Sequence, residues 1–179
     1  HLVIRRQRQM CIRDSIKGDV RDRALLRECL QGVDAVIHDA AMVGVGQSQY
    51  QIEEYISVNV GGTAVLLDII ANERPDIQKV VMASSMSIYG EGSYRCVTHG
   101  IVEPTMRPDE QLARREWKTR CPHCDAPVTP LGTAEEKTLR CTSVYAQSKK
   151  DQEEYSLIVG KAYNLSLIHI SEPTRRSYI

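Results

Sequence analysis

Tyr145 and Lys149 lie four residues apart in the segment VYAQSK. On a helix that spacing puts both side chains on one face. A phenol ordinarily titrates near pH ~10, and a neighbouring ammonium favours the phenolate and lowers that value. Such a tyrosine can trade a proton with a substrate hydroxyl near neutral pH. Ser85, at the end of the apolar run IQKVVMASS, could hydrogen-bond the same substrate oxygen. Taken alone, the Tyr–Lys pair also describes an ordinary solvated helix face, so the surrounding elements decide its meaning.

A second group of residues suits a metal. Cys96 and His99 form a C-x-x-H pair in YRCVTHG, and Cys121 and Cys124 form a C-x-x-C pair in RCPHCD. Together they make a Cys₃His set of the kind that holds structural zinc. The flanking residues are rich in Pro, Arg and Glu and poor in apolar side chains, so this stretch needs such a staple. The alternative is a loop with free thiols; His123 and Cys141 are reserve ligands. Of the six cysteines, Cys11 lies in a terminal segment discussed below. The odd number left, with no visible signal peptide, argues against a disulfide framework.

The elements that must position these residues follow from periodicity. In GDVRDRALLRECLQG, Asp22 suits an N-cap and Gly32 a helix end, with Leu25, Leu26, Cys29 and Leu30 on one face. VDAVIHDAA reads as a buried parallel strand, with His38 a core residue of that strand. Residues 51–72 read as a long helix whose internal Gly61 and Gly62 mark close approach of a backbone or ligand. IQKVVMASS is a second buried strand, and residues 144–163 a further helix. This alternation implies an α/β fold with parallel strands, whose ligands bind beyond the strands' carboxyl ends. Ala40, Ala41, Ser84 and Ser85 fall there.

Both ends read differently. Residues 5–15 (RRQRQMCIRDS) and 165–175 (LSLIHISEPTR) resemble translated sequencing adapter. Met10–Asp14 can be encoded ATG-TGT-ATA-AGA-GAC, whose opposite strand, in a shifted frame, encodes Ser166–His169. Residues 1–15 and 165–179 are therefore set aside as non-native, leaving residues 16–164 with an insertion at about 91–143. The formal net charge is zero, so no nucleic-acid or membrane-surface partner is expected. The apolar runs fall short of a membrane span of ~20 residues.

The ordered motifs GDVRD, VIHDAA, NVGGT, VVMASSMSIYG and VYAQSK resemble the extended short-chain dehydrogenase/reductase family, which includes nucleotide-sugar epimerases and dehydratases. The likeness covers nearly all of residues 18–160 apart from the insertion. It implies a partial Rossmann-type, doubly wound parallel sheet; the insertion, longer than is usual in the family, is read from its Cys/His spacing as a zinc-ribbon-like loop. The likeness also implies NAD or NADP as cofactor, a nucleotide-sugar substrate and a homodimeric, cytoplasmic parent protein. By the same resemblance, Asp19 binds the adenine amino group, with Val20 against the ring. Ala40 and Ala41 line the cofactor, although Asp39 departs from the family's usual apolar residue. Asn59 supports the active-site geometry and belongs with the cofactor-binding set. Ser85 and Tyr145 are catalytic, and Lys149 holds the nicotinamide ribose and tunes Tyr145. Dehydratases of the family carry an Asp-Glu pair where this sequence has Met86 and Ser87. Epimerisation is therefore the expected reaction. A sugar dehydrogenase or reductase is the alternative, and a non-catalytic dinucleotide-binding or zinc-ribbon interaction protein a further one. The family's G-x-x-G-x-x-G phosphate loop does not occur in these 179 residues. With two parallel strands and no such loop, the chain alone is expected to be unstable and to bind no NAD.

Overall fold

Asp22 starts helix α1 (Arg23–Cys29) by accepting a hydrogen bond from the Leu25 amide at 3.1 Å. The computed structural model describes residues 15–73 and 76–170. The adapter-like stretches before residue 15 and after residue 170 lie outside the described residues.

Strand β1 (Ala35–His38) follows α1, and two single helical turns, α2 (Val45–Ser48) and α3 (Ile52–Tyr55), lead on. From α3 the chain stays helical to Glu73. It passes through one π-helical stretch, Ile56–Gly61, into α4 (Gly62–Glu73). Strand β2 (Lys79–Ala83) runs parallel to β1, and a 3₁₀ turn (Met86–Tyr89) begins beyond its end. Helix α6 (Val144–Tyr163) comes much later, after α5 (Asp109–Ala113), and ends at Asn164 in the left-handed conformation. The core is formed where Leu66, Ile69 and Ile70 of α4 meet Leu30, Ile77 and Val80. The helix Ile52–Glu73 is long and apolar enough to cross a membrane, but half of its most apolar stretch is buried in this core.

Gly62 is where close approach is needed. A Cβ there would lie 2.4 Å from Val20 Cγ1, so the glycine seats the Val20 side chain against the helix. We expect Gly62→Ala to lower stability by about 1–3 kcal/mol through overpacking. Adding Val20→Ala should restore much of it, as read by urea unfolding.

The structure departs from the sequence reading in three places. The main sheet has three parallel strands, not two, with β2 in the middle. The third, β6 (Ser166–Ile170), comes from the segment set aside as adapter-like, and Leu167 packs on the core. A short apolar run directly after α6 satisfies the free edge of β2, whatever the run's origin. β1 is not fully buried either. Among the described residues nothing pairs with its outer edge, and Ile37 is 77% exposed. Finally, the insertion, read from the sequence as a loop, has strands of its own. It holds a three-stranded antiparallel sheet in which β3 (Tyr94–Cys96) lies between β4 (Gly100–Val102) and β5 (Thr129–Pro130).

Candidate functional site

Helix α6 brings Tyr145 and Lys149 to the carboxyl end of the sheet. Its first turn is pinned from two sides. The Ser143 hydroxyl accepts from the Ala146 amide at 3.0 Å. Ser48 Oγ accepts from the Tyr145 amide at 3.0 Å while donating to the Val45 carbonyl at 2.7 Å. These bonds satisfy amides that a helix start leaves orphaned. The Tyr145 ring stands edge-on to Tyr55, with centroids 6.3 Å apart. α6 packs against β2 and the 3₁₀ turn that follows it. Ser85 caps that turn, accepting from the Ser87 amide at 3.3 Å and sharing a hydrogen bond with the Ser87 hydroxyl at 2.8 Å. Tyr145 and Ser85 are each half-buried, whereas Lys149 is buried. Burial pushes the Lys149 ammonium below its ordinary pKa, opposed by the nearby Asp39 carboxylate.

Asn59 is fully buried in the π-helical stretch. Its amide nitrogen donates to the Met42 carbonyl at 3.1 Å and to Ser148 Oγ at 2.9 Å, and its oxygen accepts from the Met42 amide at 2.7 Å. Ser148 in turn donates to the Tyr145 carbonyl at 2.8 Å. Asn59 thus has no exposed surface for a cofactor and joins the loop after β1 to the Tyr145 turn.

Sequence reasoning missed the buried polar network beside this tie. Thr63 spends its one proton on the Asn59 carbonyl at 2.7 Å and accepts from Gln152 Nε2 at 2.7 Å. His38 Nε2 lies 2.9 Å from the same hydroxyl oxygen and must therefore donate, which places a proton on Nε2. Burial, aided by the positive charge of Lys149, holds His38 down to about 4 from an ordinary 6.5. The spacing carried a signal. Thr63 follows Asn59 by four residues and Gln152 follows Lys149 by three, so each shares a helix face with a residue already singled out.

The depressed His38 value has a consequence for stability. The unfolded state takes up the proton first, so His38 contributes stability that is fully present above pH 6.5 and is lost as pH falls towards 4. We expect a loss of about 3 kcal/mol across that window. His38→Gln should flatten that part of the profile in urea unfolding at a series of pH values.

Asp19, Val20, His38, Asp39 and Ala40 border one cleft of about 500 Å³ beside β1. The Asp19 carboxylate is held by Arg21 at 2.7 Å and 3.0 Å, and the guanidinium lowers it to about 2, so it is an ionised acceptor. Ala41 is half-buried just past Ala40 and is not part of the cleft lining.

The four metal-type residues also meet, in the insertion. The donor atoms of Cys96, His99, Cys121 and Cys124 all lie within 4.8 Å of one another. Cys141 is elsewhere, with its sulfur 3.9 Å from the Ile88 carbonyl. His123 stacks at a tilt on His99, ring centroids 5.2 Å apart.

Comparison with known proteins places this arrangement. Residues 1–111 match the NAD dependent epimerase/dehydratase family. The dTDP-L-rhamnose 4-epimerase of Burkholderia thailandensis is 34% identical over 122 residues, covering 67% of this chain and 32% of that protein. A UDP-glucose 4-epimerase of Neisseria meningitidis serogroup C is 38% identical over 77 residues, covering 42% of this chain and 22% of its own. The chain thus spans about a third or less of these relatives. The structure of UDP-glucose 4-epimerase from Brucella ovis in complex with NAD superposes with a TM-score of 0.60 at 25% identity, covering 87% of this chain and 37% of that one. MoeE5 in complex with UDP-glucose and NAD gives a TM-score of 0.55 at 25% identity, covering 87% and 39%. The parallel sheet and its helices form a Rossmann-like α/β fold, and the chain belongs to the NAD dependent epimerase/dehydratase family.

Proposed function

We propose that this chain is part of an enzyme that epimerises a nucleotide sugar with NAD. The observation that carries the reading is that helix α6, which bears Tyr145 and the buried Lys149, packs against β2 and the 3₁₀ turn that Ser85 caps. Matches to 4-epimerases of dTDP- and UDP-sugars agree with it.

The described residues fit the adenosine side of the cofactor. The cleft offers an ionised acceptor at Asp19, an apolar wall at Val20 and a strand end at Ala40. Asp19 keeps lone-pair capacity beyond its bonds to Arg21 and can accept from an adenine amino group. Bound NAD supplies the acceptor and donor of hydride.

The chain's own residues move the proton. Tyr145 takes the proton of the sugar hydroxyl as the carbinol is oxidised and returns it after the keto sugar turns over. Lys149, a cation in a desolvated position on the same helix, holds the nicotinamide ribose. Ser85 Oγ can turn from Ser87 towards the sugar oxygen and hold it in line. Met86 and Ser87 offer neither the acid nor the base that elimination of water needs, so dehydration is not supported. The codon complementarity of Met10–Asp14 and Ser166–His169 supports reading residues 1–15 and 165–179 as non-native flanks; the intact gene tests that.

The test of function uses a full-length protein containing residues 16–164, given NAD and a panel of UDP- and dTDP-hexoses. Interconversion of C4 epimers without accumulation of NADH is the expected result. Stoichiometric NADH would favour the dehydrogenase alternative. Absence of both NAD binding and turnover would overturn the reading.

A further inference from the structure

The insertion cannot be held by apolar burial. Its buried cluster consists of Cys96, Val102 and Cys121, with Tyr94 and Val128 packed against it. Two of the three buried side chains are thiols, and so small a core supplies little stability.

The backbone around the thiols consists of two similar turns. In one, Cys96 ends β3, Gly100 begins β4 directly opposite it, and Gly100 has φ +69°. In the other, the Arg120–Pro127 bridge flanks the tip, the Cys121 amide donates to the Ala126 carbonyl at 2.8 Å, and Asp125 has φ 57°. Each tip therefore presents two ligand-type residues three apart, followed at once by a residue in the left-handed region. Cys96 and His99 come from the first tip, and Cys121 and Cys124 from the second.

All four donors lie within 4.8 Å of one another, and three of their six spacings are those of a coordination sphere. Cys96 Sγ is 3.6 Å from His99 Nδ1 and 3.7 Å from Cys124 Sγ, and Cys121 Sγ is 3.7 Å from His99 Nδ1. A tetrahedral zinc with bonds of ~2.3 Å to sulfur and ~2.0–2.1 Å to nitrogen separates its ligands by about 3.6–3.8 Å. A disulfide would need sulfurs at ~2.05 Å, so Cys96 and Cys124 are not a bonded pair.

We propose that Cys96, His99, Cys121 and Cys124 bind one zinc ion in a closed, structural Cys₃His site. Four protein ligands leave no open position, so the metal holds the two hairpin tips together and takes no part in catalysis. Thiolate and imidazole donors in a tetrahedral array select zinc over the oxygen-preferring cations.

The site also bears on the catalytic wall. Beyond the metal tips, the Leu131 amide donates to the Ser93 carbonyl at 2.9 Å, Lys137 Nζ to the Tyr89 carbonyl at 3.0 Å, and the Arg140 amide to the Ile88 carbonyl at 2.9 Å. At Gly90 a Cβ would lie 2.7 Å from the Arg140 carbonyl, so the two segments are in close contact. The zinc-stapled insertion thereby braces the 3₁₀ turn that Ser85 caps. This bracing role rests on the epimerase reading; the metal site itself does not.

The test is metal analysis of a full-length protein containing residues 16–164, purified under reducing conditions without chelator. We expect about one zinc per chain, unchanged in His123→Ala and Cys141→Ser and lost in Cys124→Ser, whose side chain is exposed. His99→Cys should retain the metal as a four-thiolate site. Titration of the stripped protein with cobalt(II) should give the intense visible bands of a tetrahedral thiolate complex. Those bands read the wild-type site even where a cysteine variant fails to fold. Wild-type zinc no higher than in a Cys96→Ser/Cys121→Ser double variant would overturn the site. So would octahedral cobalt spectra, or zinc loss in His123→Ala equal to that in Cys124→Ser. Failure of the epimerase assay with zinc present would remove the catalytic reading and leave the metal site standing.

Discussion

Replacing Tyr145 by Phe in the full-length enzyme should cut turnover roughly 10²- to 10⁴-fold, the usual cost of a lost general acid/base. The ring remains, and with it the edge-on contact to Tyr55. The two bonds that pin the helix start run through the backbone amides of Tyr145 and Ala146. Among the described residues, no hydrogen bond that pins the start of α6 runs through the phenolic oxygen. The loss should appear in kcat, with NAD affinity unchanged and the unfolding midpoint within experimental error of wild type. Steady-state kinetics and calorimetric titration with NAD check both halves. Near-normal turnover would remove Tyr145 from the proposed proton transfer.

The second large effect should come from Asn59→Ala. That change leaves the Met42 amide and the Met42 carbonyl without the partners they have in the structure and removes the bond that Ser148 Oγ accepts, though Ser148 keeps its bond to the Tyr145 carbonyl. A buried polar group stripped of its partner costs about 1–3 kcal/mol, so the sum is roughly 3 kcal/mol or more. For a domain of this size that is a fall in Tm of roughly 6–12 °C. Asn59→Asp should not rescue it, because a carboxylate cannot donate to Met42 and Ser148. Thermal unfolding by circular dichroism reads the effect, and a midpoint unmoved in Asn59→Ala would refute the tie.

Much of this arrangement was legible in the sequence because its signals are local. The Tyr145–Lys149 spacing, the cap at Asp22 and the two Cys-containing pairs each lie within a few residues. The structure assembles each as a single turn or tip. What was not legible depends on pairing across the chain. The π-helical stretch Ile56–Gly61 has no side-chain signature of its own, yet it places Asn59 where it reaches both Met42 and Ser148. His38 was read as a core strand residue and is buried, but its partner Thr63 lies 25 residues away. β1 reads as a buried strand because its residues are apolar, and only the sheet order shows that it lies at an edge. Ser166–Ile170 was set aside on codon grounds, and no reading of periodicity alone would have returned it to the sheet beside β2.

The central claim is that the parent enzyme oxidises and re-reduces one carbon of a nucleotide sugar, with Tyr145 handling only the hydroxyl proton. The fate of a label at that carbon tests it most directly. A UDP- or dTDP-hexose carrying deuterium at C4 is incubated with the full-length enzyme and NAD in ordinary water, and the C4 epimers are separated and analysed by mass spectrometry. The account predicts that the product epimer keeps its deuterium, and that Tyr145→Phe leaves the labelled substrate unconverted. Wash-out of the deuterium into water during epimerisation would contradict it.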